Sequence, residues 1–125
     1  MIVFQKRIYR EDLKANPSVN YVFGDNCMRI GMGGQAGEMR GEPNAFGVAT
    51  LRAPGDFWSD RDLRDNSEIL ATDFIPLLAI ANAGGVIVLP LDGVGTGIAQ
   101  LEVRAPKTFS YLQKLWNHLI ETGSK

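Results

Sequence analysis

The glycines of this chain are bunched, and each bunch follows an apolar run. Of 14 glycines in 125 residues, Gly24, Gly31, Gly33, Gly34, Gly37 and Gly41 share one stretch, and Gly93, Gly95 and Gly97 another. The usual glycine share is about 7%, so the chain carries an excess, and it is concentrated. Flexible linkers are rich in glycine and serine, but these stretches directly follow VNYVF (19–23) and VIVLPL (86–91). Glycine after a strand marks backbone that must take a positive φ or approach something closely.

The rest of the chain supplies alternating strand and helix signals. Residues 2–9 read as a strand and 10–15 as a short helix stopped by Asn16 and Pro17. The run 19–23 is a second strand, 34–40 a short helix, and 45–51 a third strand ended by the Pro54-Gly55 turn. Ser59 is placed as an N-cap with Asp62 three residues on. Pro76 divides the helical region behind it into 60–74 and 75–83. The run 86–91 is the most apolar and reads as a buried central strand. Pro106 then opens a last helix with apolar residues at helical spacing, ended by Gly123. This order predicts one α/β domain over 1–125, its sheet covered on both faces.

Composition narrows the function. Lys and Arg number 13 against 14 Asp and Glu, a net charge of -1, without the basic surplus on which duplex DNA binding rests. One cysteine, Cys27, allows neither an internal disulfide nor a cysteine metal cluster. The opening MIVFQKRIYRED turns charged too early for a signal peptide, and no apolar run approaches the roughly 18 residues of a membrane span. A cytoplasmic location with no membrane partner is expected.

In open α/β sheets, ligands collect beyond the carboxyl ends of the strands, where both glycine stretches fall. A glycine-rich loop leading into a helix offers free N–H groups and a positive dipole end, which suit phosphate. Gly31-Met32-Gly33-Gly34-Gln35-Ala36 matches G-x-G-x-x-A, but a dinucleotide fingerprint wants an acid about 20 residues on, where Leu51 stands. No Gly-Lys-Ser/Thr of a P-loop occurs. In the second stretch, Gly93, Gly95 and Gly97 with Thr96 form a wall of donors with little side-chain bulk. Asp92 is placed either to serve a ribose or act as a base, or simply to cap the Asp-Gly turn. Arg29, Arg40 and Arg52 flank the expected pocket and favour an anionic ligand over plain surface charge.

These segments resemble a known family. Phe23-Gly24-Asp25-Asn26, followed by Gly31-Met32-Gly33-Gly34, resembles the macrodomain hallmark, an N-A-A-N strand end followed by a triple-glycine loop and a helix. PLDGVGTGIAQL (90–101) resembles the P-x-x-G-x-G-L-D segment of the branch that contains terminal ADP-ribose protein glycohydrolase, and Thr50-Leu51-Arg52 falls where that branch carries T-K. The resemblance spans roughly residues 19–101. It implies a three-layer α/β/α sandwich with a mixed sheet, binding ADP-ribose or a related nucleotide. Asn26 would contact the distal ribose, Gly31, Gly33 and Gly34 would line the diphosphate, and Gly93, Gly95, Thr96 and Gly97 would form the second phosphate loop. The branch's nucleophilic lysine and acid–base aspartate correspond here to Leu51 and Ala99, whose alkyl side chains can neither attack nor shuttle a proton. Arg52, one position on, stays protonated and does not attack.

Three functions follow as expectations. The first is a module binding ADP-ribose or a related nucleotide diphosphate, with Asn26, Arg29, Arg52 and the glycines at the ligand. The second is a hydrolase that removes ADP-ribose from modified protein or nucleic acid by a non-lysine route, with Asp25 or Asp92 as the working acid. The third is a non-catalytic protein-interaction domain. None calls for a metal or a separate cofactor. His118 reads as a surface residue of the last helix, and Cys27 as a packed thiol. Of Phe57 and Trp58, one is expected in the core, the other being left either to the core or to stacking on an adenine.

Overall fold

The computed structural model describes the whole chain, Met1–Lys125. Its elements are β1 (Ile2–Gln5), α1 (Arg10–Ala15), β2 (Asn20–Asp25), α2 (Ala36–Met39), β3 (Ala45–Ala49), a 3-10 turn (Asp60–Asp62), α3 (Leu63–Asn82), β4 (Ile87–Pro90), α4 (Leu101–Arg104) and α5 (Pro106–Gly123). The four strands form one sheet in the order β1-β4-β2-β3, and every pairing is parallel. The mixed sheet implied by the resemblance is thus absent. Each strand-to-strand connection contains a helix, which returns the chain to the same end of the sheet, so parallel pairing follows.

The strand order also decides where the helices go. From β1 through β2 to β3 the chain moves toward one edge; from β3 to β4 it moves back. Because such crossovers are right-handed almost without exception, the reversal sends α3 to the face opposite α1 and α2. The burial pattern agrees. Ile8, Leu13 of α1 and Ala36 and Met39 of α2 pack with Tyr21, Phe23 and Val88 on one face. Leu70, Phe74, Leu77 and Ala81 of α3 join Leu112, Trp116 and Leu119 of α5 against Val22, Ile87 and Leu89 on the other. Phe74 and Trp116 meet edge to face at 6.5 Å. Trp58 is buried in this second cluster, the core position expected for one of the aromatic pair. Phe57 instead lies beneath the Arg104 guanidinium, 3.7 Å from its ring centroid.

Pro76 does not divide the helical region as the sequence predicts; α3 runs through it. The proline is exposed, so the carbonyl it leaves without a donor, that of Thr72, can turn to water. Burial of the Leu70, Phe74, Leu77 and Ala81 stripe outweighs the lost bond. Ser59 precedes the 3-10 turn and makes no side-chain cap; its carbonyl accepts from Asn66 Nδ2 at 3.1 Å instead. The four-residue α4, not foreseen, begins after Gln100 at φ 48.

The cap that matters most is remote in sequence. Asp60 accepts hydrogen bonds from Lys107 N (2.9 Å), Thr108 N (3.0 Å) and Thr108 Oγ1 (3.0 Å), holding the first turn of α5. Burial pushes its carboxyl pKa upward, but these donors outweigh burial and leave it below the ordinary value. A carboxyl so depressed stabilises the fold above its unfolded pKa of about 3.9 and ceases to do so as pH falls through the folded value. Asp60→Ala is therefore expected to cost about 1 kcal/mol at neutral pH. The difference from the parent chain should shrink below about pH 4, as read by urea unfolding at a series of pH values.

Candidate functional site

Adjacent strands whose following segments leave to opposite faces open a crevice between their carboxyl ends. Here those strands are β2 and β4: the chain after β2 goes to α2 on one face, and the chain after β4 to α4 and α5 on the other. A cleft of about 490 Å³ lies at this point. Its walls come from the segments after β2, β3 and β4, and both glycine stretches contribute to it. Gly24 lies against the second loop, where a Cβ would be in ordinary contact with Val94 Cβ at 3.6 Å.

The cleft is rich in unused donors. The backbone N–H groups of Gly31, Met32, Gly33 and Gly34, and those of Val94, Gly95, Gly97, Ile98 and Ala99, have no hydrogen-bond partner within the chain. Val94, Gly95 and Ala99 are themselves buried, where an unpaired N–H is rare. The second loop is held open by Leu101 N donating back to Gly95 O at 2.8 Å. Gly95 takes φ +85 there, a conformation that only glycine adopts freely.

Below the first loop sits a buried ion pair. Asp25 is 5% exposed, and its Oδ1 accepts from Arg40 Nη2 at 2.5 Å and from Asn26 N at 2.8 Å. Oδ2 accepts from Arg40 Nη1 at 3.2 Å, and Arg29 Nη1 stands 3.6 Å away. Arg40 also donates from Nε to Gly31 O (2.8 Å) and from Nη2 to Ile30 O (3.1 Å). Gly47 on β3 leaves room for this carboxylate: a Cβ there would lie 2.5 Å from Asp25 Oδ2. Asn26, also buried, donates from Nδ2 to Ile30 O at 2.7 Å. Gln35 ties the start of α2 to the segment after β1 by exchanging two hydrogen bonds with the Ile8 backbone, both 2.9 Å.

The predicted site residues divide into three groups. Asp25, Asn26, Gly31, Gly33, Gly34, Gly93, Gly95 and Gly97 line the cleft. Asp92 and Thr96 do not; they border a separate hollow of about 30 Å³ against α5, and Thr96 Oγ1 donates to Asp92 O at 3.3 Å. Arg29 and Arg52 lie behind the wall formed by 26–30 and 50–54, in an adjoining groove of about 740 Å³ beside α3. There Arg29 pairs with Asp73 at 2.7 Å and Arg52 with Asp62 at 2.9 Å. Burial works against the Arg29 charge, but Asp73 and Asp25 outweigh it and raise its pKa. Cys27 borders the same groove, and burial pushes its thiol pKa up, the opposite of what a nucleophile needs.

The arrangement leaves no free acid or base in the cleft. Both Asp25 oxygens are occupied, and Asp92 is outside. Leu51 and Ala99, at the positions of the glycohydrolase pair, are buried wall residues. Gln35 and Met32 are absent from the sequence-based site, and Arg40, read there as flanking the pocket, instead holds Asp25 and the carbonyls of Ile30 and Gly31. Truncating Arg40 would strand a buried carboxylate, so Arg40→Leu is expected to cost about 3–5 kcal/mol in urea unfolding. Asp92→Ala, on an exposed turn, should stay within about 0.5 kcal/mol of the parent.

No helix is long and apolar enough to cross a membrane. Comparison with curated proteins and with solved structures finds no match. Residues 3–115 do match one family model, described as a family of unknown function (DUF7831). That match takes in both glycine stretches and all four strands but the first residue of β1, and the chain belongs to this DUF7831 family.

Proposed function

We propose that this protein binds ADP-ribose or a related nucleotide diphosphate, with the phosphates between the two glycine loops of a macrodomain-like α/β/α sandwich. The observation that carries this reading is the set of unpartnered N–H groups on the two loops that line one cleft at the switch point of the sheet. Convergent amide dipoles in glycine-rich turns make concave anion sites. A diphosphate has enough acceptor oxygens to engage both loops at once. Asn26 keeps one Nδ2 hydrogen beyond the bond to Ile30, and this hydrogen is available to a ribose hydroxyl.

The same residues favour binding over hydrolysis. A hydrolase needs a group that activates water or protonates the leaving oxygen. The two acids named for that role are respectively locked by Arg40 and outside the cleft. The protein-interaction reading is served less well, since interfaces are anchored by aromatic residues and arginine and the cleft floor offers bare backbone.

Two glycines give a test that spares the fold. Neither Gly33 nor Gly97 has a positive φ, and a Cβ at Gly97 would meet nothing within 4 Å. At Gly33 it would meet only Ile98 Cδ1, at 3.9 Å. Gly33→Val and Gly97→Val are therefore expected to unfold like the parent chain while placing methyl groups over the donors. Calorimetry with ADP-ribose should show binding by the parent, weakened at least about tenfold in each variant, the equivalent of roughly 1.4 kcal/mol. Absence of heat for the parent at millimolar ADP-ribose, ADP and NAD would remove the proposal.

A further inference from the structure

The mouth of the cleft differs in chemistry from its floor. Ile30, Met32 and Ile98 all line it, yet they are 51%, 60% and 72% exposed. The lips belong to different loops and come close: a Cβ on Gly33 would sit 3.9 Å from Ile98 Cδ1. Apolar side chains of this size, gathered around a recess and left in water, mark a surface that something covers. None of them supports the core, since neither buried cluster includes them.

What covers them is constrained by what lies beneath. The donors of the floor and the apolar lips open on the same cavity, so one occupant that satisfies both has an anionic part and an apolar, flat or slender part within a few ångströms of each other. A bare inorganic anion would use the amides and leave the lips wet. A purely apolar occupant would leave buried N–H groups unpaired, with their desolvation uncompensated. Methionine suits an aromatic occupant, because its unbranched thioether adapts to a ring and makes favourable sulfur–aromatic contacts.

We infer that Met32 and Ile98 grip the base of the nucleotide whose phosphates the amides hold, and so select base-bearing diphosphates over diphosphates without a base. This inference rests on the cleft being the nucleotide site and adds the residues that discriminate among its ligands. The two probes that isolate it are ADP and ribose 5-diphosphate, which share the anion and the sugar and differ in the base.

The experiment measures both affinities for the parent chain and for the Met32→Ser/Ile98→Ser double variant. Both positions are exposed, so the variant should unfold with the parent. ADP is expected to bind the parent at least about tenfold more tightly than ribose 5-diphosphate, because the base covers apolar surface that the other probe leaves in water. The variant should lose that preference while keeping its affinity for ribose 5-diphosphate. Met32→Leu with Ile98 intact should retain most of it. Equal affinity of the parent for the two probes would overturn the inference and leave the cleft reading standing. Failure of both probes to bind would remove the cleft reading and the inference together. A parent chain that sediments as a dimer, with a monomeric variant, would assign the lips to a second copy and overturn it as well.

Discussion

A carboxylate taken out of water has to be met by opposite charge and by donors, or the fold loses several kcal/mol. Asp25 at the end of β2 is in that position, and Arg40 meets it through two nitrogens. The remaining capacity of the same guanidinium goes to the carbonyls of Ile30 and Gly31. In a trans peptide unit the N–H points away from the C=O. Carbonyls drawn toward Arg40 therefore turn the N–H groups of Gly31 and Met32 the other way. Burial of one acid and orientation of the glycine loop are a single arrangement, and Gly47 is part of it because only a residue without a Cβ leaves room for that acid.

That arrangement acts at the place where the chain reverses its direction across the sheet. Right-handed crossovers put α2 and α3 on opposite faces, and α4 and α5, which follow β4, pack with α3; the cleft lies between the segments that leave β2 and β4. Glycine then lets the second loop close on the segment after β3, since a Cβ at Gly95 would lie 3.3 Å from Thr50 Cγ2. α3 fixes the far side of the wall: Asp73 accepts from Ala49 N at 2.8 Å and from Arg29 at 2.7 Å, tying the end of β3 to the helix behind it. Arg29 reaches this position from a left-handed backbone at φ 55, a cost of the kind tolerated where the surroundings over-determine the geometry.

Much of this was legible in the residues. All four strands and the last helix follow apolar runs and helical spacing, and the glycine bunching located the walls of the cleft. What residue types could not convey was partnership. Asp25 reads as a free acid until Arg40, fifteen residues on, is seen to occupy it, and Arg29 reads as a phosphate ligand until Asp73 claims it. Asp92 and Thr96 sit among cleft-lining glycines in sequence, yet the tight turn at Gly93 (φ +77) and Gly95 directs them to the opposite side. Pro76 misled in a different way. Its helix-breaking tendency is local, and a buried stripe spanning both of its sides overrode it.

The charges lining the cleft cancel, since Asp25 and Arg40 neutralise each other and no other ionised side chain faces it. An anion held here would be held by neutral dipoles, whose pull falls off quickly with distance and gains strength as water is excluded. Such a site depends on being closed more than one built from lysines and arginines, whose attraction extends over a screening length of about 8–10 Å. Apolar lips are the feature that a dipolar site needs and a cationic site can do without. Covered by a ligand's own apolar part, they remove water from the amides beneath them. In the proposed complex, amides holding the anion and lips keeping them dry would reinforce one another, which would join the exposed isoleucines and methionine at the mouth to the chemistry of the floor.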